Sequence, residues 1–543
     1  MIKYLGMNAG KTFLSLLKES GINKIFIVSG TDYASLIEAK VEDPSLPDFE
    51  IVPHEITAIS TAIGYALGNK LSAVAVHTTP GTANALGGIM SAYTSRIPLL
   101  VIAGRSPYTE KGNTASRNLR IHWTQEARDQ GELVRQYVKY DFEIRMADQI
   151  PAVISRAIQI MMSEPRGPVY LVLPREVSIQ EINEVKRIPM DYYEPAPSPD
   201  KISKAKEMLE KSERPVIITW RAGRRKEWFE SLKRFADSYN IPVLNYAGEV
   251  LNYPSNGTMA LDRFDLRNAD LLLVVEAEVP YFPKKIDLDI PIIKVDVEPS
   301  YSYIPYYGFR CDLCIQSTPS NFFDYVSIRP KSYDEIREVK IKQEEYKRQE
   351  IEKLKDKKPI HPKYLSYEIG NIASEYNLAI FNEYQFNPRY AKLSEFGSYF
   401  ADLSIGYLGL ALGAGVGYKI ATNKDVIITT GDGSFIFGVP EAFYYVSSKY
   451  PTMVVIFDNG GWLASAEAVD EVFPEGLAKS KRYYPGADFD KRFEIGKTVE
   501  AFHGYYELVE DPWEIKPALV RGLEKVRKEN KIAVVQVIVD KVR

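Results

Sequence analysis

Asp432 lies in Gly431-Asp432-Gly433-Ser434, and Asn459, in Asp458-Asn459-Gly460-Gly461, follows it by 27 positions. The two residues offer a carboxylate and an amide, both hard oxygen donors. Gly461 adds a backbone carbonyl with no side chain in the way. Three such oxygens, with a diphosphate and a water, complete an octahedral Mg²⁺ site. Alone, a strand-end aspartate and a turn asparagine do no more than cap turns. The elements around these two argue for more. Residues 425–430 (DVIITT) are apolar and β-branched, as a buried parallel strand requires. Residues 441–448 have helical character, and 452–457 (TMVVIF) read as the next strand. The candidate ligands therefore end two strands joined by a helix, on the edge where open parallel sheets bind ligands.

A second group of candidates lies near the N-terminus. Thr31 follows the strand 24–29 (KIFIVS). Glu55 stands between a strand ending at 50–53 and a small-residue helix over 57–67, where a carboxylate is favoured by the helix macrodipole even without chemistry. His77 follows the strand 73–76 and opens His77-Thr78-Thr79-Pro80-Gly81-Thr82-Ala83-Asn84. A further strand is predicted over 99–103. Strand and helix alternate, so this half also reads as a doubly wound α/β domain.

The pattern GDG, 24 residues (434–457), then Asp458-Asn459 resembles the thiamin-diphosphate fingerprint of the 2-oxoacid decarboxylase and acetolactate synthase superfamily, with Asp458 where the family usually has Asn. The resemblance implies that Asp432, Asn459 and the Gly461 carbonyl hold Mg²⁺ on the diphosphate, beside Gly433 and Ser434. Pro53-His54-Glu55-Ile56-Thr57-Ala58 looks like the segment whose glutamate hydrogen-bonds the aminopyrimidine ring and so activates the thiazolium carbon. His77 and Thr31 fall on the histidine and serine positions of benzoylformate decarboxylase. Its second catalytic histidine has no counterpart in Glu278-Val279-Pro280-Tyr281-Phe282-Pro283. Gln125-Glu126 looks like an acetolactate synthase segment whose glutamine lies near the cofactor. Ser404-Ile405-Gly406-Tyr407-Leu408-Gly409 resembles the loop that places a bulky apolar residue, here Leu408, under the cofactor. Tyr384 is expected at the cofactor, Trp462 beside it, and Ala464 and Glu467 near substrate.

The resemblance implies three α/β domains: a pyrimidine-binding domain at 1–185, a dinucleotide-type domain at 195–330 and a diphosphate-binding domain at 360–543. The Pro-rich stretch 193–199 is the first linker, and the Lys/Glu-dense run 333–358 is a solvated connecting helix. Trp220-Arg221-Ala222-Gly223-Arg224 follows a strand and is not GxGxxG, so the middle domain is expected to be structural, without FAD. Gly413-Ala414-Gly415-Val416-Gly417 reads as helix packing, not as a dehydrogenase fingerprint. In this family the site is shared between chains, so a homodimer or homotetramer is expected.

The 543 residues carry a formal net charge of −4 and 26% charged side chains, a balance that points away from nucleic acid and anionic membranes. The longest weakly polar stretch, 403–418, is too short to span a bilayer. A cytoplasmic enzyme is the natural class. Cys311 and Cys314 form a single CxxC, too few for a four-cysteine zinc site; they read as ordinary cysteines near a strand end, with a redox pair as the alternative. The expected reaction is decarboxylation of a 2-oxo acid followed by carboligation to a second carbonyl. Simple non-oxidative decarboxylation is the alternative, and His77 is its support. A non-catalytic protein that retains the fold would be expected to have lost Glu55 or Asp432, and both are present.

Overall fold

In the computed structural model the described residues are 7–182, 188–244, 248–332, 334–401 and 405–541. Ser404 of the loop motif, Leu403 and Tyr333 lie outside them.

Three six-stranded parallel sheets follow one another along the chain. The N-terminal sheet has β1 (Lys24–Ile27), β2 (Asp48–Ile51), β3 (Ala73–Val76), β4 (Leu99–Arg105), β5 (Tyr140–Glu143) and β6 (Pro168–Pro174), in the order β2-β1-β3-β4-β6-β5. The middle sheet has β7 (Pro215–Thr219), β8 (Val243–Leu244), β9 (Ala260–Leu261), β10 (Leu271–Val275), β11 (Ile292–Asp296) and β12 (Leu313–Gln316). Its order, β9-β8-β7-β10-β11-β12, is that of dinucleotide-binding folds. The C-terminal sheet has β13 (Ala379–Asn382), β14 (Tyr399–Phe400), β15 (Val426–Gly431), β16 (Met453–Asp458), β17 (Tyr505–Val509) and β18 (Ala533–Ile538). It repeats the N-terminal pattern as β14-β13-β15-β16-β18-β17.

The central strands β3, β15 and β16 are buried along their whole length, which is why they read as continuous apolar runs. Strand order reverses between β1 and β3, between β7 and β10, and between β13 and β15. Each reversal opens a crevice at the strands' carboxyl ends.

Helices α1 (Glu55–Leu67) and α2 (Thr78–Thr94) belong to the first third, and α3 (Asp334–Leu354) is the charged connector. Helices α4 (Leu410–Thr422), α5 (Asp432–Phe437) and α6 (Leu463–Val472) belong to the last third. The small residues of α1 and α4 let their backbones meet. A Cβ on Gly64 would lie 1.8 Å from the Ala414 carbonyl oxygen, and one on Gly417 would lie 1.9 Å from that of Thr61. The glycine-rich run 413–417 is therefore a helix contact, as expected. Lys449 and Tyr450 also bind Glu50 at 2.8 Å each, joining the outer thirds within one chain.

The cysteine reading needs correction. Cys311 and Cys314 form a disulfide, with Cα atoms 5.8 Å apart. A four-residue bend into the edge strand β12 holds the two thiols within bridging reach. No helix among the described residues is long and apolar enough to cross a membrane.

Candidate active site

Two sites form, one at each outer strand-order reversal. The C-terminal one is a cavity of about 700 Å³. Its walls include Tyr384, Gly406, Leu408, Asp432, Gly433, Ser434, Asn459, Gly461 and Trp462, with Ala464 and Glu467 on α6. Every cofactor-binding residue expected from the last third is therefore in one place.

β15 delivers Asp432 to the start of α5, 3% exposed. Its Oδ2 accepts the Gly460 N–H at 3.0 Å, while Oδ1 is buried with no hydrogen-bond partner. A buried carboxylate oxygen without a donor is costly, and a cation facing it would remove the cost. Burial first, then the neighbouring Asp458, push the Asp432 carboxyl up to about 7. Asn459 is 3% exposed beside it. Asp458 accepts from the Gln536 amide at 2.6 Å. Its side chain is thus engaged in the sheet, and it adds negative charge without occupying the cavity wall.

Glu383 and Gln385, on either side of the expected Tyr384, were missed by sequence reasoning. Glu383 accepts the Gly409 N–H at 2.6 Å and the Ala411 N–H at 2.9 Å, which pins the loop that carries Leu408. Burial pushes its carboxyl up to about 7. Tyr384 and Gln385 both have φ of 57°, a left-handed conformation that non-glycine residues adopt at a cost. Two successive residues of this kind turn the chain sharply within the cavity wall. Trp462 packs edge-on to Phe489 at 4.9 Å. A Cβ on Gly433 would lie 2.6 Å from the indole nitrogen, so the glycine makes room for the ring.

The N-terminal site gathers the remaining candidates. Glu55, 8% exposed at the start of α1, accepts from the Asn84 amide at 3.1 Å. His77 follows β3, and its Nδ1 lies 2.6 Å from Asp32 Oδ1. Gln125 Nε2 is 3.5 Å from His77 Nε2. Thr31 opens a short 3₁₀ turn beside Asp32 and is exposed. The hydrogen bond from His77 to Asp32 raises the imidazole pKa above its ordinary value, against the opposing effect of burial. Asp32 was not singled out from the sequence, because nothing local marks it. None of Thr31, Glu55, His77 or Gln125 lines the C-terminal cavity of its own chain.

Comparison with known proteins agrees with this division. Residues 7–133 match the N-terminal TPP binding domain of thiamine pyrophosphate enzymes, and residues 384–537 match the C-terminal TPP binding domain. An acetolactate synthase large subunit of Mycobacterium tuberculosis is 24% identical over 546 residues, covering 95% of this chain and 93% of the relative. An oxalyl-CoA decarboxylase of Escherichia coli is 24% identical over 565 residues, covering 96% and 93%. The crystal structure of benzoylformate decarboxylase from Polynucleobacter necessarius superposes with a TM-score of 0.81 at 19% identity, covering 99% of each chain. At that identity the likeness is one of fold.

Proposed function

The chain belongs to the thiamine pyrophosphate enzyme family, and from that premise we propose that it is a thiamin-diphosphate- and Mg²⁺-dependent enzyme that decarboxylates a 2-oxo acid. The observation that carries this reading is the unpartnered, buried Asp432 Oδ1 in the wall of a cavity of about 700 Å³. That oxygen, Asn459 and the Gly461 carbonyl fit a Mg²⁺ ion on a diphosphate. Gly406, Gly433 and Ser434 would line the diphosphate, and Leu408, Tyr384 and Trp462 the rings. Bound thiamin diphosphate supplies a carbon nucleophile and an electron sink, the chemistry that loss of CO₂ from a 2-oxo acid needs.

Glu55 is the carboxyl group to hold a proton at the aminopyrimidine ring. Its absence from the cavity of its own chain supports a site completed by a second copy. On this reading, the partner subunit's Glu55 faces the Asp432 cavity, and the smallest active unit is a homodimer. A fully active monomer in sedimentation would contradict it.

Carboligation to a second carbonyl, as in acetolactate synthases, is the outcome we propose first, in line with the acetolactate synthase relative. The oxalyl-CoA decarboxylase relative, of equal identity and similar coverage, is in line with decarboxylation alone. A second reading, release of the aldehyde, is favoured by one observation, the 2.6 Å contact between His77 and Asp32. An acid–base imidazole beside the reacting centre serves protonation. Product analysis with pyruvate and with benzoylformate, plus and minus thiamin diphosphate, tests both. Acetolactate supports the first and aldehyde alone the second. No cofactor-dependent product from any 2-oxo acid contradicts the proposal.

A further inference from the structure

The Asp32–His77 pair is built into the fold more firmly than a chance contact. Asp32 is 5% exposed, and its Oδ2 is buried without a hydrogen-bond partner. Two glycines clear the space around it. A Cβ on Gly104, in β4, would lie 1.7 Å from Asp32 Oδ2. A Cβ on Gly30 would lie 2.1 Å from His77 Nδ1 and 2.5 Å from Asp32 Oδ1. The neighbouring Tyr33 donates its hydroxyl to the Val76 carbonyl at 2.6 Å and lies 3.1 Å from that of Ile102. The turn that carries Asp32 is thus tied to β3, one residue before His77, and to β4. Backbone, glycines and tyrosine together hold one carboxylate against the Nδ1 edge of one imidazole.

We propose that Asp32 is a positioning residue for His77: it fixes the ring's orientation and tautomer so that Nε2 is the nitrogen presented to substrate. An ionised carboxylate can only accept, so Nδ1 carries the shared proton. Nε2 then becomes the nitrogen that takes up and releases the second proton, with the Gln125 amide beside it. The same division of roles between carboxylate and imidazole operates in hydrolase triads. Glu55, at the start of α1, adds to the cationic bias, and His122, on the short helix Ile121–Thr124, is the other titrating group that senses the ring. The role rests on the functional reading above, because His77 acts only if a reaction occurs beside it.

The chain has five histidines, so their ring signals can be resolved by selective labelling and His77 assigned with His77→Gln. The test compares full-length wild type with Asp32→Asn, and with Asp32→Ser should the amide fail to fold. In the variant, the His77 titration midpoint is expected to fall by about one pH unit. The turnover number is expected to fall by about 10²-fold while KM changes little, with the alkaline limb of the pH profile moving by the same amount. An unchanged His77 titration in an otherwise active enzyme overturns the proposal and leaves the functional reading standing. Wild-type protein without thiamin-dependent turnover overturns both.

Discussion

Asp432 combines a structural liability with a use. Its carboxyl is pushed up to about 7 by burial and by Asp458, so without metal it holds a proton over most of the acidic range. A cation must displace that proton. Mg²⁺ affinity is therefore expected to rise about tenfold per pH unit below pH 7 and to level off above it. Calorimetric titration with MgCl₂ across pH 5.5–8 measures this, and a flat profile would count against Asp432 as the ligand. Glu55→Gln keeps the hydrogen bond to Asn84 geometrically possible and removes only the acid. That variant is expected to keep its fold and Mg²⁺ binding while losing about 10²–10⁴-fold in turnover. Asp432, Asn459, Glu55 and His77 were legible in the sequence because each sits in a short motif resembling the family's, and all but Glu55 directly follow a strand buried along its whole length. Asp32 and Glu383 were not. Asp32 meets His77 across 45 positions, and Glu383 meets Gly409 and Ala411 across 26 and 28. No short-range pattern marks such pairs.

At the scale of elements, the three sheets treat their order reversals alike. A non-glycine residue with positive φ stands at each: Thr78 after β3 and His77, Glu276 after β10, and Tyr384 after β13. Such residues cost free energy and cluster where a fold must aim side chains. The strands and the alternation with helices could be read directly, because parallel strands buried on both faces leave unbroken apolar runs. The disulfide could not, since CxxC spacing is equally compatible with reduced thiols. The helix contact between α1 and α4 is the element on which both sites lean, for α1 begins at Glu55 and α4 follows Leu408. Alanine in place of Gly64 or Gly417 improves intrinsic helix propensity by about 1 kcal/mol. The new Cβ nevertheless meets a carbonyl oxygen of the facing helix, and only separation of the helices relieves that contact. A net loss of about 1–3 kcal/mol is expected for either variant in chemical denaturation. An unchanged midpoint would show that the helices do not pack this closely.

At the scale of the molecule, the middle sheet is tied to the first by buried charge. Arg96, just before β4, reaches Glu276 at 3.0 Å and Asp296 at 2.7 Å, at the carboxyl ends of β10 and β11. Arg221 after β7 binds Glu278 at 2.8 Å, and Arg224 binds Glu164 at 3.1 Å. Both arginines of the segment that follows β7 are thus paired with carboxylates. Burial and Asp296 push Glu276 upward, while Arg96 and Arg221 hold Asp296 low against the effect of its burial. Removing Arg96 leaves two buried carboxylates short of a partner. Arg96→Met is expected to cost about 3–5 kcal/mol, read as a fall in thermal midpoint at neutral pH. A variant as stable as wild type would contradict the docking role.

The proposed division of the active site between two chains is tested most directly by complementation. Glu55→Gln and Asp432→Asn proteins, each inactive, are unfolded together, refolded as a mixture and assayed with thiamin diphosphate, Mg²⁺ and a 2-oxo acid. In a mixed dimer, one site receives both wild-type residues and the other receives neither. Recovery of roughly a quarter of wild-type turnover is expected for random pairing. Activity no greater than the sum of the two parents, with mixed dimers shown to form, would contradict a site shared between subunits.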